Sequence, residues 1–586
     1  MKYFEGEPST GPLAGTTIPA ETLLYRYRVV ESLMFAGVPL AKSNYLRTLL
    51  EREGHNLTSA AHLGQDYVPQ ISQREEHLVK KEISGEYIGV IFDGTTRLGE
   101  AVNIITRHIS EDFRIILRLV DFTTMKVHMN GLQLFAHLVH VLSTRLQIDV
   151  KRIVVLARDS CATNGVAVTS FIGLAVNALN MLCFPHTLHN SGKEIDVPVL
   201  NRFMTPWLTN VHNNSAAKLK WQSILGCAMA KFSTVRWWSR FECMREISVN
   251  FSQLPDFLQY LEDNDIGDAT TKTMRSIVMD EGDALQLELA AVLSLQRVER
   301  ATYRLEGDGL EILLVHETIE PLRAFGRSLG KDASDLPSVS ALLRAKCVIA
   351  QGTCIREYYG APHNKWYTGT VTRLPVLPAR GVQAIPTYQV TYIDKSKIES
   401  DEIELRNTID VLKFPEWDKA VASVQGCFKY LEKRLTNDCQ TPYHCAAAYE
   451  VCRVTQLFDP SYAAVHLTAA YVDELCAAIP MLTDRAQGLK VELSTYSVLA
   501  KAAPNLDKGD VHAFTEGVLL FWRVKGLELP AWLAAARIVF AIPPTSAASE
   551  RVFALLKAMF GGDQIASLSD YIQGALMLRY NKRVVG

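Results

Sequence analysis

The chain has 586 residues, 48% of them hydrophobic, enough for roughly three or four domains with cores of their own. Its 61 Lys and Arg nearly balance 63 Asp and Glu, and this net charge of -2 excludes a globally basic nucleic-acid or membrane binder. The 11 cysteines include no CxxC pair, which argues against a disulfide framework or a zinc ribbon.

Residues 1–20 lack the basic start and apolar run of a signal peptide, and no uncharged apolar stretch is long enough to span a bilayer. An intracellular protein without a membrane partner is expected. Residues 21–80 read as helical, in TLLYRYRVVESLMFAG and NYLRTLLEREG around the turn GVPLAKS. The period then changes. EYIGVIFDGTT (86–96), AVNIITRHIS (101–110) and FRIILRLVDFTTM (113–125) are β-rich runs joined by short polar turns, which predicts a meander. QLFAHLVHVLSTRLQI follows as an amphipathic helix, and KRIVVLARD (151–159) as a compact strand ending in an aspartate. TNGVAVTSFIGLAVNALN is a second helix, and NMLCFP is a short strand before a helix beginning near His186. Residues 196–540 are mostly helical, in KLKWQSILGCAMAKF, FECMREISVNF, DALQLELAAVLSLQRVERATYRL and VSALLRAKCVIA.

One segment breaks that pattern. Trp366-Tyr367-Thr-Gly-Thr-Val, and the alternation of Tyr388, Val390 and Tyr392 with Gln389 and Thr391, predict a small β-barrel at 355–410. The last block is PPTSAASERVFALLKAMF. Pro543-Pro544 bars helix, Thr545 or Ser546 caps the first turn, and Val552, Leu555, Leu556 and Met559 recur as a buried helical face.

The order βββαβαβ, with a final helix missing, is how ribonuclease-H-like folds are built. The expected fold is an α/β ribonuclease-H-like core, interrupted by a large all-α insertion that carries the small β-barrel, behind a helical N-terminal region. The boundaries are 1–84 for that region, 85–195 for the first part of the core, and 196–354 with 411–511 for the insertion. Residues 355–410 form the β insert, and 512–586 close the core.

Reactive carboxylates in such folds sit on the first strand, at the end of the fourth, and on a late helix. Asp93, Asp159 and Glu550 occupy those places. Phosphodiester cleavage and joining needs a strong nucleophile and charge neutralisation at both reacting oxygens, which two divalent ions supply. Mg²⁺ or Mn²⁺ takes hard oxygen ligands, so the three acids are the candidate metal-binding and catalytic residues. The alternative for Glu550 is an ordinary acid near a helix N-terminus, worth roughly 0.3–1 kcal/mol. Cys183, His186 and His189 offer fewer ligands than zinc requires, so a packed thiol and hydrogen-bonded imidazoles are expected there, with no structural zinc.

Several blocks resemble the hAT superfamily of cut-and-paste DNA transposases and their domesticated relatives. SAASERVFALLKAMF and GALMLRYNKR resemble its C-terminal dimerisation signature, and FWRVKGLELPAWLAAARIVFAIPPTS resembles the approach to it. FDGTT and ARDSCATNGVAV resemble the two aspartate blocks, CFPHTLHN the CxxH block, and STVRWWSR the TRW block. Together they cover most of the chain from about residue 21. The resemblance implies DNA and a second copy of the chain as partners, a nuclear location, and DNA contacts from Cys183, His186, Arg236 and Trp237. This chain departs from the pattern at Thr95, where tryptophan is usual, and at Arg158, where a neutral threonine is common; an arginine there can pair with Asp159 or point away. No BED-type finger precedes the core, so DNA reading by such a finger is not expected. A second reading is therefore a catalytically silent, domesticated DNA- or chromatin-binding dimer.

The β insert resembles a Tudor-like module. In that class an aromatic cage holds methylated lysine or arginine, so Tyr359, Trp366, Tyr388, Tyr392 and Asp394 are cage candidates for a methylated histone tail. The alternative is that these aromatics fill the core of the barrel.

Overall fold

The computed structural model describes residues 18–95, 100–125, 129–232, 236–346, 354–359, 365–373, 388–394, 397–403, 410–436, 446–560 and 569–582, with the strands between 354 and 403 described in backbone. Two compact units emerge. The first joins Met1–Thr187, Thr302–Ile319 and Lys433–Gly586; the second joins Leu188–Ala301 and Glu320–Glu432. Residues 302–319 and 433–511, which the sequence reading assigned to the helical insertion, pack with the first unit.

The first unit is organised on one mixed sheet. Its strands are β1 (Ile88–Thr95), β2 (Glu100–Ile109), β3 (Ile115–Met125), β4 (Ile153–Arg158) and β5 (Leu179–Leu182). The order across the sheet is β3-β2-β1-β4-β5. β1, β2 and β3 pair antiparallel, whereas β4 runs parallel to both β1 and β5. β4, IVVLAR, is buried at every position, as an interior parallel strand covered on both faces must be. One face of the sheet packs Ile88, Val90, Phe92, Val102, Ile104 and Leu156 against Leu138, Leu142, Val168 and Phe171. Each such side chain contributes roughly 1.5–3 kcal/mol on burial. The helix Gly131–Val139 starts where Asn130 and Gln133 form a capping box.

The C-terminal helix Ser569–Tyr580 closes the sheet's edge. Asn581, just beyond it, accepts from the Leu119 amide at 2.8 Å. Its own amide donates to the Leu119 carbonyl at 3.2 Å and to Glu75 Oε1 at 2.8 Å. The register between β2 and β3 slips beside Leu119, so that edge backbone needs a side-chain partner.

The second unit is a set of helices around an aromatic centre, in which the Trp207 ring lies 4.9 Å from Trp221 and 5.6 Å from Phe257. It also carries a four-stranded antiparallel sheet, β6 (Cys354–Tyr359), β7 (Lys365–Arg373), β8 (Tyr388–Asp394) and β9 (Lys397–Ile403), paired in sequence order. Among the described residues, no helix is long and apolar enough to cross a membrane.

Two expected helices are shorter than their apolar runs. The helix read through TNGVAVTSFIGLAVNALN spans Ala162–Ile172. The Leu174 and Ala175 amides both turn back to the Phe171 carbonyl, and Leu174 and Val176 stand exposed at 51% and 74%. DALQLELAAVLSLQRVERATYRL is two helices, Gly282–Leu293 and Gln296–Arg304. At the break the Ser294 hydroxyl and amide both donate to the Ala290 carbonyl, and the Leu295 amide turns back to the Val292 carbonyl.

Candidate active site

Parallel pairing of β1 with β4 sets Ile91 opposite Ala157. Asp93, still within β1, and Asp159, one residue past β4, each lie two residues beyond that pair, close enough for the charge of one to act on the other. Their surroundings hold them there. Asp159 Oδ1 accepts from the Cys161 amide at 2.9 Å and from Asn164 Nδ2 at 2.7 Å. Asn164 also bonds Asp93, and Asp93 Oδ1 accepts from the Gly94 amide at 2.8 Å.

The pairing has an electrostatic consequence. The Asp93 carboxyl is pushed up to about 7, first by burial and then by the negative charge of Asp159. His186, the Gly94 amide and Asn164 pull the other way without cancelling it. Arg158, fully buried, donates from Nε to Asn180 Oδ1 at 3.0 Å and from Nη1 to the backbone carbonyl of Asp159 at 2.9 Å. That departure from the family pattern thus ties β5 to the backbone that carries the acid.

Glu550 reaches the same place from the far end of the chain. Gly89 of β1 lies under the segment 541–546; a Cβ there would stand 2.0 Å from the Ala541 carbonyl oxygen and 3.0 Å from Pro543 Cδ. The Phe184 amide donates to the Pro544 carbonyl at 3.1 Å, and the Ser546 amide donates to Cys183 Sγ at 3.3 Å. From this anchored segment rises the helix Ala547–Met559, with Glu550 in its first turn. Asn103, the β2 partner of Asp93, donates from Nδ2 to the Ser549 carbonyl at 3.2 Å and fixes the helix beside the acid.

The cap differs from either expectation taken alone. Ser546 occupies the cap position without a side-chain cap bond, its hydroxyl lying 3.4 Å from His186 Nδ1, while Thr545 Oγ1 accepts from the Ala547 amide at 3.0 Å. The buried face also shifts toward the helix start. Ala547, Ala548, Ser549, Val552 and Leu556 are buried, and Leu555 and Met559 are half-buried.

His186 is the hub. Its Nδ1 lies 3.0 Å from Cys183 Sγ and its Nε2 3.1 Å from Glu550 Oε1. Burial disfavours the imidazolium, yet the Cys183 charge and hydrogen bond, with Asp93 and Asp159, push His186 up to about 9. Burial raises the Cys183 thiol, but His186 and Ser546 outweigh it and bring the thiol below its ordinary value. Cys183, His186, Asp93, Asp159 and Glu550 therefore form one electrostatic cluster within the first unit. Among the described residues, no group of three or more His, Cys, Asp or Glu side chains is arranged to hold one metal ion. A pair of mutually repelling carboxylates nevertheless offers the hard oxygen donors that a divalent cation takes.

Arg236 and Trp237 belong to the second unit. Trp237 is buried, and a Cβ at Gly192 would meet its ring at 2.6 Å. The Trp238 indole donates to the Leu188 carbonyl at 2.8 Å. The side chains of Tyr359, Trp366, Tyr388, Tyr392 and Asp394 lie outside the described residues. Sequence reading did not single out Asn103 or Asn164. The only signal was their position, one or a few residues from the acids or opposite one of them across the sheet.

Residues 498–565 match the model of the hAT family C-terminal dimerisation region. Among curated proteins, none matches the chain.

Proposed function

From the premise that this chain is a hAT-transposase-related protein carrying the family's dimerisation region, we propose that its first unit is a ribonuclease-H-like core that cleaves and joins DNA in the nucleus. One observation supports the reading: Asp93 of β1 and Asp159, one residue past β4, lie two residues beyond the last residue pair of adjacent parallel strands, and Glu550 meets them through His186. Asp93, Asp159 and Glu550 would hold Mg²⁺ or Mn²⁺, which when bound activates the attacking oxygen and neutralises the leaving one.

The chain's own residues do the positioning. Asn164 braces both aspartates, Asn103 fixes the first turn of the Glu550 helix, and His186 orients the glutamate through Nε2. Cys183 holds the other ring nitrogen, so the imidazole presents a fixed edge to the acid. Cys183, His186, Arg236 and Trp237 are the proposed contacts to DNA, and the 355–410 insert is a proposed Tudor-like site for a methylated histone tail. The test is incubation of wild type and Asp93→Asn with Mn²⁺ and a mixed DNA pool. Nicking or strand joining by wild type alone supports the reading, and its absence from both removes it.

The ion pair between Glu550 and His186 favours a second reading, a dimeric DNA- or chromatin-binding protein without chemistry. In that case DNA is retained equally by both proteins and neither cuts it.

A further inference from the structure

A dimerisation region does not by itself say which surface pairs. Within 498–565, the helix Val511–Lys525 buries Phe514, Val518, Phe521 and Trp522 against its own unit. Its opposite face carries Leu520 at 54% exposure and Val524 at 53%, and the turn that follows adds Leu527 at 74%. These positions are spaced i, i+4 and i+7, so they form one stripe along the helix. Single exposed leucines are ordinary on a protein surface. Three in line, two on a helix whose other face is already filled and one on the turn after it, are not.

The charges beside the stripe are of both signs. Glu516 and Glu528 lie near Arg523 and Lys525, all exposed. A two-fold axis brings each such patch onto its own copy in reverse, so mixed charges can pair across it while the apolar stripe is covered. Arg523 is held on its own side, donating to the Asp112 carbonyl at 2.7 Å, and so stands pre-positioned at the rim.

We propose that Leu520, Val524 and Leu527 form the contact face for a second copy of this chain, packed as a two-fold helix pair. This rests on the dimerisation-region reading and is independent of any cleavage chemistry. A competing apolar face exists outside the matched region, on the helix Ser43–Arg52, where Tyr45 is 80% and Leu49 56% exposed. Nothing links that face to self-association, so it serves as the comparison.

The experiment is the mass of the full chain in solution by light scattering, across micromolar concentrations and without DNA or divalent ions. Wild type is expected to be a dimer. Leu520→Glu/Val524→Glu places charges where the stripe would be covered, and its dissociation constant should rise on the order of 100-fold with an unchanged thermal unfolding curve. Leu520→Gln/Val524→Gln should weaken pairing about tenfold, and reads the same face if the glutamates disturb the helix. Tyr45→Glu/Leu49→Glu should remain dimeric. A monomeric wild type, a glutamine variant that pairs like wild type, or dissociation caused by the Tyr45 and Leu49 changes would each overturn the proposal. Failure to cut DNA leaves it untouched.

Discussion

Replacing Asn581 by leucine should loosen the edge of the sheet more than any loss of side-chain volume explains. Asn581 is 3% exposed and Glu75 fully buried, and the asparagine satisfies the Leu119 amide, the Leu119 carbonyl and one oxygen of Glu75. Leucine has nearly the same shape and offers none of these bonds. Each buried polar group left without this partner costs about 1–3 kcal/mol, partly offset by about 1–2 kcal/mol for the added apolar contact. The net expectation is about 3 kcal/mol of local destabilisation. Hydrogen exchange on peptides spanning 115–125 is the suitable assay, since it reads the edge strand without requiring the whole chain to unfold in one step. Protection there should fall about 100-fold. Adding Glu75→Leu to Asn581→Leu should recover part of the loss, because the carboxylate that lost this hydrogen bond is removed. Exchange within about threefold of wild type would refute the reasoning.

His108 is 4% exposed, its Nδ1 is buried without a hydrogen-bond partner among the described residues, and its pKa is pushed down to about 4 by burial, then by Arg118, with Glu82 opposing and Arg537 adding. The unfolded chain takes up a proton near pH 6.5 that the folded state refuses until about 4, so stability falls as pH drops through that window, by up to about 3 kcal/mol. His108→Leu should flatten this part of a denaturation-versus-pH curve; an unchanged slope would count against it. Gly89→Ala forces a Cβ to 2.0 Å from the Ala541 carbonyl oxygen, backbone against backbone, and should cost about 1–3 kcal/mol or more. Thermal unfolding checks this, and a melting point equal to wild type would show that the 541–546 segment yields freely.

The strands were legible because they change the hydrophobic period within a few residues, and β4 because it is short and apolar throughout. Asp93 and Asp159 could be found because each lies where such a run gives way to polar residues. Glu550 was named from the order of the elements and a late helix, but a glutamate in a first turn has an ordinary reading of its own, and the resemblance was needed to favour the third-acid role. What holds these acids was not legible. Asn103 reaches Ser549 across 446 positions, and Arg107 bonds the carbonyls of Phe540, Asp308 and Gly309. Such partners depend on chain closure and leave no local pattern. Helix ends were misread for a related reason. GLAVNALN and the stretch around Ser294 are apolar enough to continue a helix, but backbone turns onto the Phe171 and Val292 carbonyls end it.

The claim on which the rest depends is that Asp93, Asp159 and Glu550 act as one site for divalent ions. Thermal unfolding of the full chain with and without Mn²⁺ tests it directly, since a ligand held only by the folded state stabilises by about 2.7 kcal/mol at 100 times its dissociation constant. Wild type should melt higher in Mn²⁺, and the gain should disappear in Asp93→Asn and Asp159→Asn and shrink in Glu550→Gln. No response in wild type, or a full response in Glu550→Gln, would contradict the account.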